Sequence, residues 1–245
     1  MHRRRVAVIA SAVTALALSF GTLRAQNESA NKPKSCIPQV KNPERHDAFL
    51  KDKEKLQEKG PIELVFEGDS ITDGWRGRNG RFVFDEEYTR YNCFNTGIGG
   101  DRTEHLLWRI DHGELDGLHP KAVVLMIGTN NLGNKQSVED TIAGIKCVVS
   151  AIHEKLPESK ILLLAVFPRG HDATDHFRDE IKQVNEGISK LDGTENVTYL
   201  DIGPKFLDPD LTLSKTIMPD ALHPNEKGYM VWAESMKPTL EKLMK

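Results

Sequence analysis

Four short blocks of this 245-residue chain carry residue types that together suit acyl transfer. Gly68-Asp69-Ser70 offers a hydroxyl. Gly97-Ile98-Gly99-Gly100-Asp101 and Gly128-Thr129-Asn130-Asn131 offer backbone and side-chain amides, and Asp220-Ala221-Leu222-His223 offers a carboxylate and an imidazole. A serine hydroxyl is a weak nucleophile until a base takes its proton. His223 can be that base, and Asp220 can reach its far ring nitrogen, hold the tautomer and stabilise the imidazolium. The oxyanion formed by attack needs donors aimed at it beforehand. Gly100 can supply an unobstructed backbone N–H, Asn130 its amide NH₂, and Ser70 its own backbone N–H. Each block alone has a plain structural reading. Gly-Asp-Ser after a strand is commonly a turn, the glycine block lacks the third Gly of GxGxxG, Asp220 and His223 before Pro224 suit an N-cap and a surface histidine, and the asparagines suit a turn. Their joint occurrence, in order, carries the chemical reading.

The elements between the blocks predict how they meet. Ile62–Phe66, Ala122–Ile127 and Ile161–Phe167 are apolar runs that read as buried strands, with Arg90–Phe94 and Thr198–Asp201 as weaker strands. His46–Glu58, Thr103–Ile110, Val138–His153, Phe177–Lys190 and Asn225–Met244 read as helices. Strands alternating with helices from residue 62 onward predict one α/β domain with a mostly parallel sheet covered on both faces. Ligands in such folds bind at the carboxyl ends of the strands. Three of the blocks follow strands there, and the fourth precedes the last helix. Trp75, Arg76 and Arg78 follow Ser70 and could line a substrate entrance, although a solvated loop suits the two arginines better. Arg169, after the Ile161–Phe167 strand, faces the same edge, with a surface salt bridge as its alternative. Asp101 and His105 stand at i,i+4, but no third residue at metal-ligand spacing accompanies them.

Composition sets the outer limits. The chain is 38% hydrophobic and 28% charged, with mean hydropathy −0.45, which excludes a multi-span membrane protein. Arg3, Arg4 and Arg5 precede a 15-residue apolar or small-residue stretch, Val6–Phe20, with small residues up to Ala25. This is the layout of a signal peptide over residues 1–25, cut near Ala25. The stretch falls short of the roughly 17–25 residues of a membrane span. Adjacent arginines also fit a twin-arginine route. Cleavage removes four arginines and no acid, taking the formal charge from −3 to −7. Such an acidic chain is a poor partner for nucleic acid or an anionic membrane. Residues 26–45 have no apolar period and read as a surface or disordered leader, with the domain over 46–245. Cys36, Cys93 and Cys147 have no metal-binding spacing. In an exported protein Cys36–Cys93 is a reasonable disulfide, against three separate thiols.

The four blocks resemble those of the GDSL or SGNH hydrolase family over about residues 60–240. Ser70 resembles the family nucleophile, Gly100 and Asn130 its oxyanion residues, and Asp220 and His223 its DxxH pair. Ile71 replaces the leucine of GDSL, and Asn131 follows Asn130 where an aspartate is common. Segments Asn95–Ile110, Gly128–Asn134 and Phe167–Gly170 resemble the catalytic subunits of intracellular platelet-activating-factor acetylhydrolase, a branch that shares the Asn131 change. Thr72 rules out the GxSxG elbow of ordinary α/β-hydrolases. The resemblance implies a flavodoxin-like three-layer α/β/α sandwich with a mostly parallel five-stranded sheet. It also implies a serine esterase needing no cofactor or metal, with Asp69, Trp75, Asn131 and Arg169 as further candidates to touch substrate. Exported relatives often act on acetylated sugars, so a secreted acetylesterase acting on carbohydrate esters is expected. The alternatives are a lysophospholipase or thioesterase with the same triad, and a non-catalytic carbohydrate-binding protein on this fold. The oligomeric state stays open.

Overall fold

The computed structural model describes residues 32–194 and 196–245. The export signal read on residues 1–25 lies outside them. Among the described residues one sheet has five strands: β1 (Leu64–Gly68), β2 (Phe94–Asn95), β3 (Ala122–Met126), β4 (Lys160–Leu164) and β5 (Val197–Leu200). Their spatial order is β2-β1-β3-β4-β5, and every pairing is parallel, so the sheet is wholly rather than mostly parallel. This is the doubly wound flavodoxin-like order, whose direction reverses between β1 and β3. Helices α1 (Pro43–Lys59), α2 (Ser70–Asp73), α3 (Arg81–Tyr88), α4 (Thr103–Asp111), α5 (Thr129–Gly133), α6 (Val138–Lys155), α7 (His176–Ile188) and α8 (Glu226–Leu243) complete the fold.

Strand pleating sends successive side chains to opposite faces, and both faces are apolar. Val65, Val123, Leu125, Ile161 and Leu163 pack with Ile145, Val148 and Val184 of α6 and α7. Leu64, Phe66, Val124, Leu162 and Leu164 pack on the other face with Trp75, Trp232 and Met236. Burial on both sides explains why these strands are uninterrupted apolar runs.

Two expectations are corrected here. Part of the leader is built into the domain. Lys34–Cys36 forms a 3₁₀ turn with Ser35 and Cys36 buried. Ser35 Oγ donates to Asp140 O (2.6 Å), Thr103 Oγ1 donates to Ser35 O (2.9 Å), and Gln39 N–H donates to Glu104 O (2.9 Å). The disulfide joins Cys36 to Cys147 on α6, not to Cys93, which is a free thiol. The leader lies along α4 and α6, so the cysteine within reach is on α6. Cross-linking residues 111 apart restricts the unfolded chain by about 5 kcal/mol in the chain-entropy picture.

Candidate active site

The end of β1 places the nucleophile candidate. A Cβ on Gly68 would run into the Thr72 side chain and the Met126 carbonyl, so only glycine allows this close strand-to-helix turn. Asp69 then caps α2, its Oδ1 accepting from Ile71 N–H (3.0 Å), and Ser70 opens the helix. The Tyr229 hydroxyl of α8 donates to Ile71 O (2.8 Å), tying the last helix to this turn. In the loop before α8, Asp220 Oδ1 accepts from the backbone N–H groups of Leu222 (3.1 Å) and His223 (2.7 Å).

That loop brings together side chains 153 residues apart. Ser70 Oγ–H donates to His223 Nε2 at 2.9 Å, and His223 Nδ1–H donates to Asp220 Oδ2 at 2.6 Å. A carboxylate only accepts, so Asp220 fixes the proton on Nδ1 and leaves the Nε2 lone pair for the serine proton. Partial burial would raise the Asp220 carboxyl. The hydrogen bonds from the His223 ring and backbone outweigh that and hold its pKa below the ordinary aspartate value.

The amide candidates converge on the same strand end. Thr96 N–H donates to Phe66 O (2.9 Å) and Ile98 N–H to Gly68 O (3.3 Å), so the glycine block runs beside Ser70's own turn. Asp101 N–H closes a four-residue turn on Ile98 O (3.1 Å), with Gly100 at φ +73°. Asn130, in the first turn of α5, donates one amide hydrogen to Asp101 O (2.9 Å), and its second hydrogen remains for another acceptor. Among the described residues neither the Ser70 nor the Gly100 backbone N–H is given to another protein group.

Three of the four candidate substrate contacts are corrected by burial. Trp75 is fully buried in an aromatic cluster with Phe66, Tyr88, Tyr229 and Trp232. Asn131 is 0% exposed, and its amide is used internally: Oδ1 accepts from Thr103 N–H, and Nδ2 donates to Thr103 Oγ1, Glu104 Oε2 and Gln136 Oε1. Asp69 is also 0% exposed and acts as a helix cap. Arg169 stays a candidate. Its guanidinium stacks on Phe177, donates to Thr129 O (3.3 Å), and lines a cleft of about 280 Å³ with Asp220, Leu222 and Phe177.

A buried charged cluster lies behind the turn, which the reading of the sequence did not include. Arg109 on α4 donates through Nε to Asp101 Oδ2 (3.1 Å) and through Nη1 to both oxygens of Glu114, and lies 3.9 Å from Glu67 of β1. All four side chains are buried. Burial first, then the Glu114 charge, pushes the Glu67 carboxyl well up. Among the described residues no cluster of three or more His, Cys, Asp or Glu is arranged to hold a metal. His105 instead caps α4, its Nδ1 accepting from Arg102 N–H (3.0 Å).

Asp69 gives a pH prediction. Burial raises its pKa from 3.8 to about 7, the nearby Asp101 charge adding to the rise against the Ile71 hydrogen bond. The fold thus binds this proton more tightly than the unfolded chain does. Between about pH 4 and pH 7 stability therefore falls as pH rises. Asp69→Asn keeps the Oδ1 acceptor and removes the titration. Glu67 and Asp101 remain in both proteins, so the difference reports Asp69 together with its coupling to Asp101. Denaturant curves should show the wild type losing on the order of 3 kcal/mol more than the variant across that window. Parallel pH profiles would contradict it.

The GDSL-like Lipase/Acylhydrolase family profile matches residues 66–231, from the last residues of β1 into α8. The chain belongs to this family. It is 34% identical over 200 residues to platelet-activating factor acetylhydrolase IB subunit alpha1 of Homo sapiens, covering 81% of this chain and 82% of that one. Among solved structures it resembles a GDSL-like lipase from Bacteroides thetaiotaomicron (TM-score 0.63, 18% identity, 80% and 98% of the two chains). It also resembles Axe2, an acetylxylan esterase from Geobacillus stearothermophilus (TM-score 0.59, 20% identity, 74% and 94%). At those identities the two structures speak for the fold, which is the α/β/α arrangement read from the sequence.

Proposed function

We propose that this GDSL-family protein is a secreted serine esterase that removes short acyl groups, acetyl foremost, from carbohydrate alcohols. The observation that carries the reading is the unbroken chain Ser70–His223–Asp220 beside free amide donors. Ser70 Oγ attacks the ester carbonyl carbon while its proton passes to His223 Nε2. The carbonyl π pair moves onto oxygen, which the Ser70 and Gly100 N–H groups and the Asn130 amide receive. Collapse expels the alcohol oxygen, which takes the proton from His223 and leaves an acyl-serine. Water then adds, giving its proton to His223. The second collapse breaks the acyl–Oγ bond, returns that proton to Ser70, and releases the acid.

Export is supported by the Cys36–Cys147 disulfide, since such bonds persist mainly in oxidising compartments. Among the described residues no helix is long and apolar enough to cross a membrane. The acetyl preference and the sugar alcohol rest on likeness to acetylxylan esterases together with export. The 34% identity to an acetylhydrolase named for platelet-activating factor favours a second reading, in which the alcohol is a lipid. Released acid measured across acetylated xylan, short nitrophenyl esters, lysophospholipid and an acetylated glycerophospholipid tests these. Acetate from the sugar ester at the highest kcat/KM supports the proposal, and turnover of the lipid alone would replace it.

The donor assignment predicts a further result. Asn130→Ala should lower kcat by roughly 10²–10³ with little change in KM, because the donor acts on charge that develops only in the transition state. Steady-state kinetics on a nitrophenyl acetate check it; an unchanged kcat would remove Asn130 from the site.

A further inference from the structure

Lys41 stands outside the catalytic blocks and outside the matched family region, yet its ammonium reaches the proposed oxyanion turn. Nζ donates to Gly99 O (2.9 Å) and to Asp101 Oδ1 (3.2 Å). It lies 3.0 Å from the point a Cβ on Gly100 would occupy. The turn it grips runs from Ile98 to Asp101, closed by the Asp101 N–H to Ile98 O bond. Gly100, its third residue, has φ +73°, whereas Gly99 is not at positive φ. These are the marks of a type II turn. Types I and II differ by the direction of the central peptide, here the one joining Gly99 to Gly100. That peptide carries both the carbonyl held by Lys41 and the N–H assigned to the oxyanion. In a planar trans peptide the two point opposite ways. Holding the oxygen therefore aims the hydrogen. With glycine on both sides, no Cβ resists a flip that would turn the carbonyl oxygen toward the developing anion.

We propose that Lys41 is a positioning residue that locks the Gly99–Gly100 peptide with its N–H toward the oxyanion. This rests on the reading of Gly100 as an oxyanion donor. The lysine is itself held in place. The segment before it is anchored by the Cys36–Cys147 disulfide and by the Gln39 N–H to Glu104 O bond. The segment after it enters α1 at Pro43. Asp101, the other ligand of the ammonium, is fixed from behind by Arg109 Nε. The cation thus bridges a stapled leader and an anchored turn.

Lys41→Met, Lys41→Gln and Lys41→Arg, each in the full chain, test this on a nitrophenyl acetate, alongside the rate of Ser70 modification by a fluorophosphonate. Lys41→Met should lower kcat about 10–100-fold with KM within about twofold, below the ceiling for losing one oxyanion donor outright. The labelling rate should fall in parallel, because the phosphonyl oxygen gains charge in the same place. Lys41→Arg should restore most of the loss, and Lys41→Gln, an uncharged donor, should fall between. The Lys41 side chain is partly buried, 28% exposed, against the buried Asp101 carboxylate, so thermal midpoints check that each variant still folds. Wild-type kcat in Lys41→Met, or a rise in KM alone, overturns the inference while leaving the Ser70 reading intact. A wild-type protein that neither turns over the ester nor labels at Ser70 overturns both.

Discussion

Ser70→Ala should reduce kcat by roughly 10⁴–10⁶, to near the background set by binding and the remaining amides. The hydroxyl makes one side-chain hydrogen bond, to a histidine whose side chain is 40% exposed. Its loss therefore removes the nucleophile while leaving no buried polar group stranded. The thermal midpoint should move by no more than a degree or two. Turnover within tenfold of wild type would show that another residue attacks the ester. A collapsed midpoint would show that the serine is structural.

Asp220→Asn should cost about 10³–10⁴ in kcat, and the local geometry explains why the loss should be so large. Oδ1 of Asp220 accepts two backbone N–H groups, from Leu222 and His223. An asparagine must keep its oxygen on that side, since its NH₂ cannot accept. Its nitrogen then replaces Oδ2 and points at His223 Nδ1, where it donates. The ring responds by carrying its proton on Nε2, the atom that must receive the Ser70 proton. The variant is thus held in the wrong tautomer by the same bonds that hold the wild type in the right one. Asp220 is 56% exposed, so water can partly screen the effect, which sets the lower end of the range. A loss under tenfold would mean that Asp220 does not set the proton's position.

The parts of the fold legible in the sequence were those where a two-sided sheet forces apolar runs. Ala122–Ile127 and Ile161–Phe167 read directly as strands, close to β3 and β4 as observed. Arg90–Phe94 did not map cleanly: β2 is only Phe94–Asn95, because Thr89–Tyr91 turns as a 3₁₀ segment first. Helix α3 went unread since its apolar residues Phe82, Val83 and Phe84 are consecutive and show no 3.6 period, with Phe82 left exposed. At the site, residue types at the strand ends and before the last helix, together with the family resemblance, pointed to Ser70, Asp220 and His223, and the fold brings these three side chains within hydrogen-bonding distance. Trp75, Asn131 and Asp69 were misjudged for one shared reason. Proximity in sequence to a reactive residue does not say which way a side chain turns, and all three turn inward.

The charged interior shows the same limit from the other side. Glu67 extends an apolar run and Arg109 lies among Leu106, Leu107 and Ile110, so each breaks a local rule. Two such breaks are a signal that charges pair inside the fold, but only the folded arrangement joins them through Asp101 to the Ile98–Asp101 turn. The disulfide was misassigned because pairing depends on how the leader runs, and the leader has no apolar period to reveal its path along α4 and α6.

Intact-protein and peptide mass spectrometry after fluorophosphonate treatment should find a single adduct on the peptide containing Ser70, formed rapidly in wild type and at least a hundredfold more slowly in His223→Ala. No adduct, an adduct on a different serine, or equal labelling rates in the two proteins would contradict a hydroxyl activated by His223.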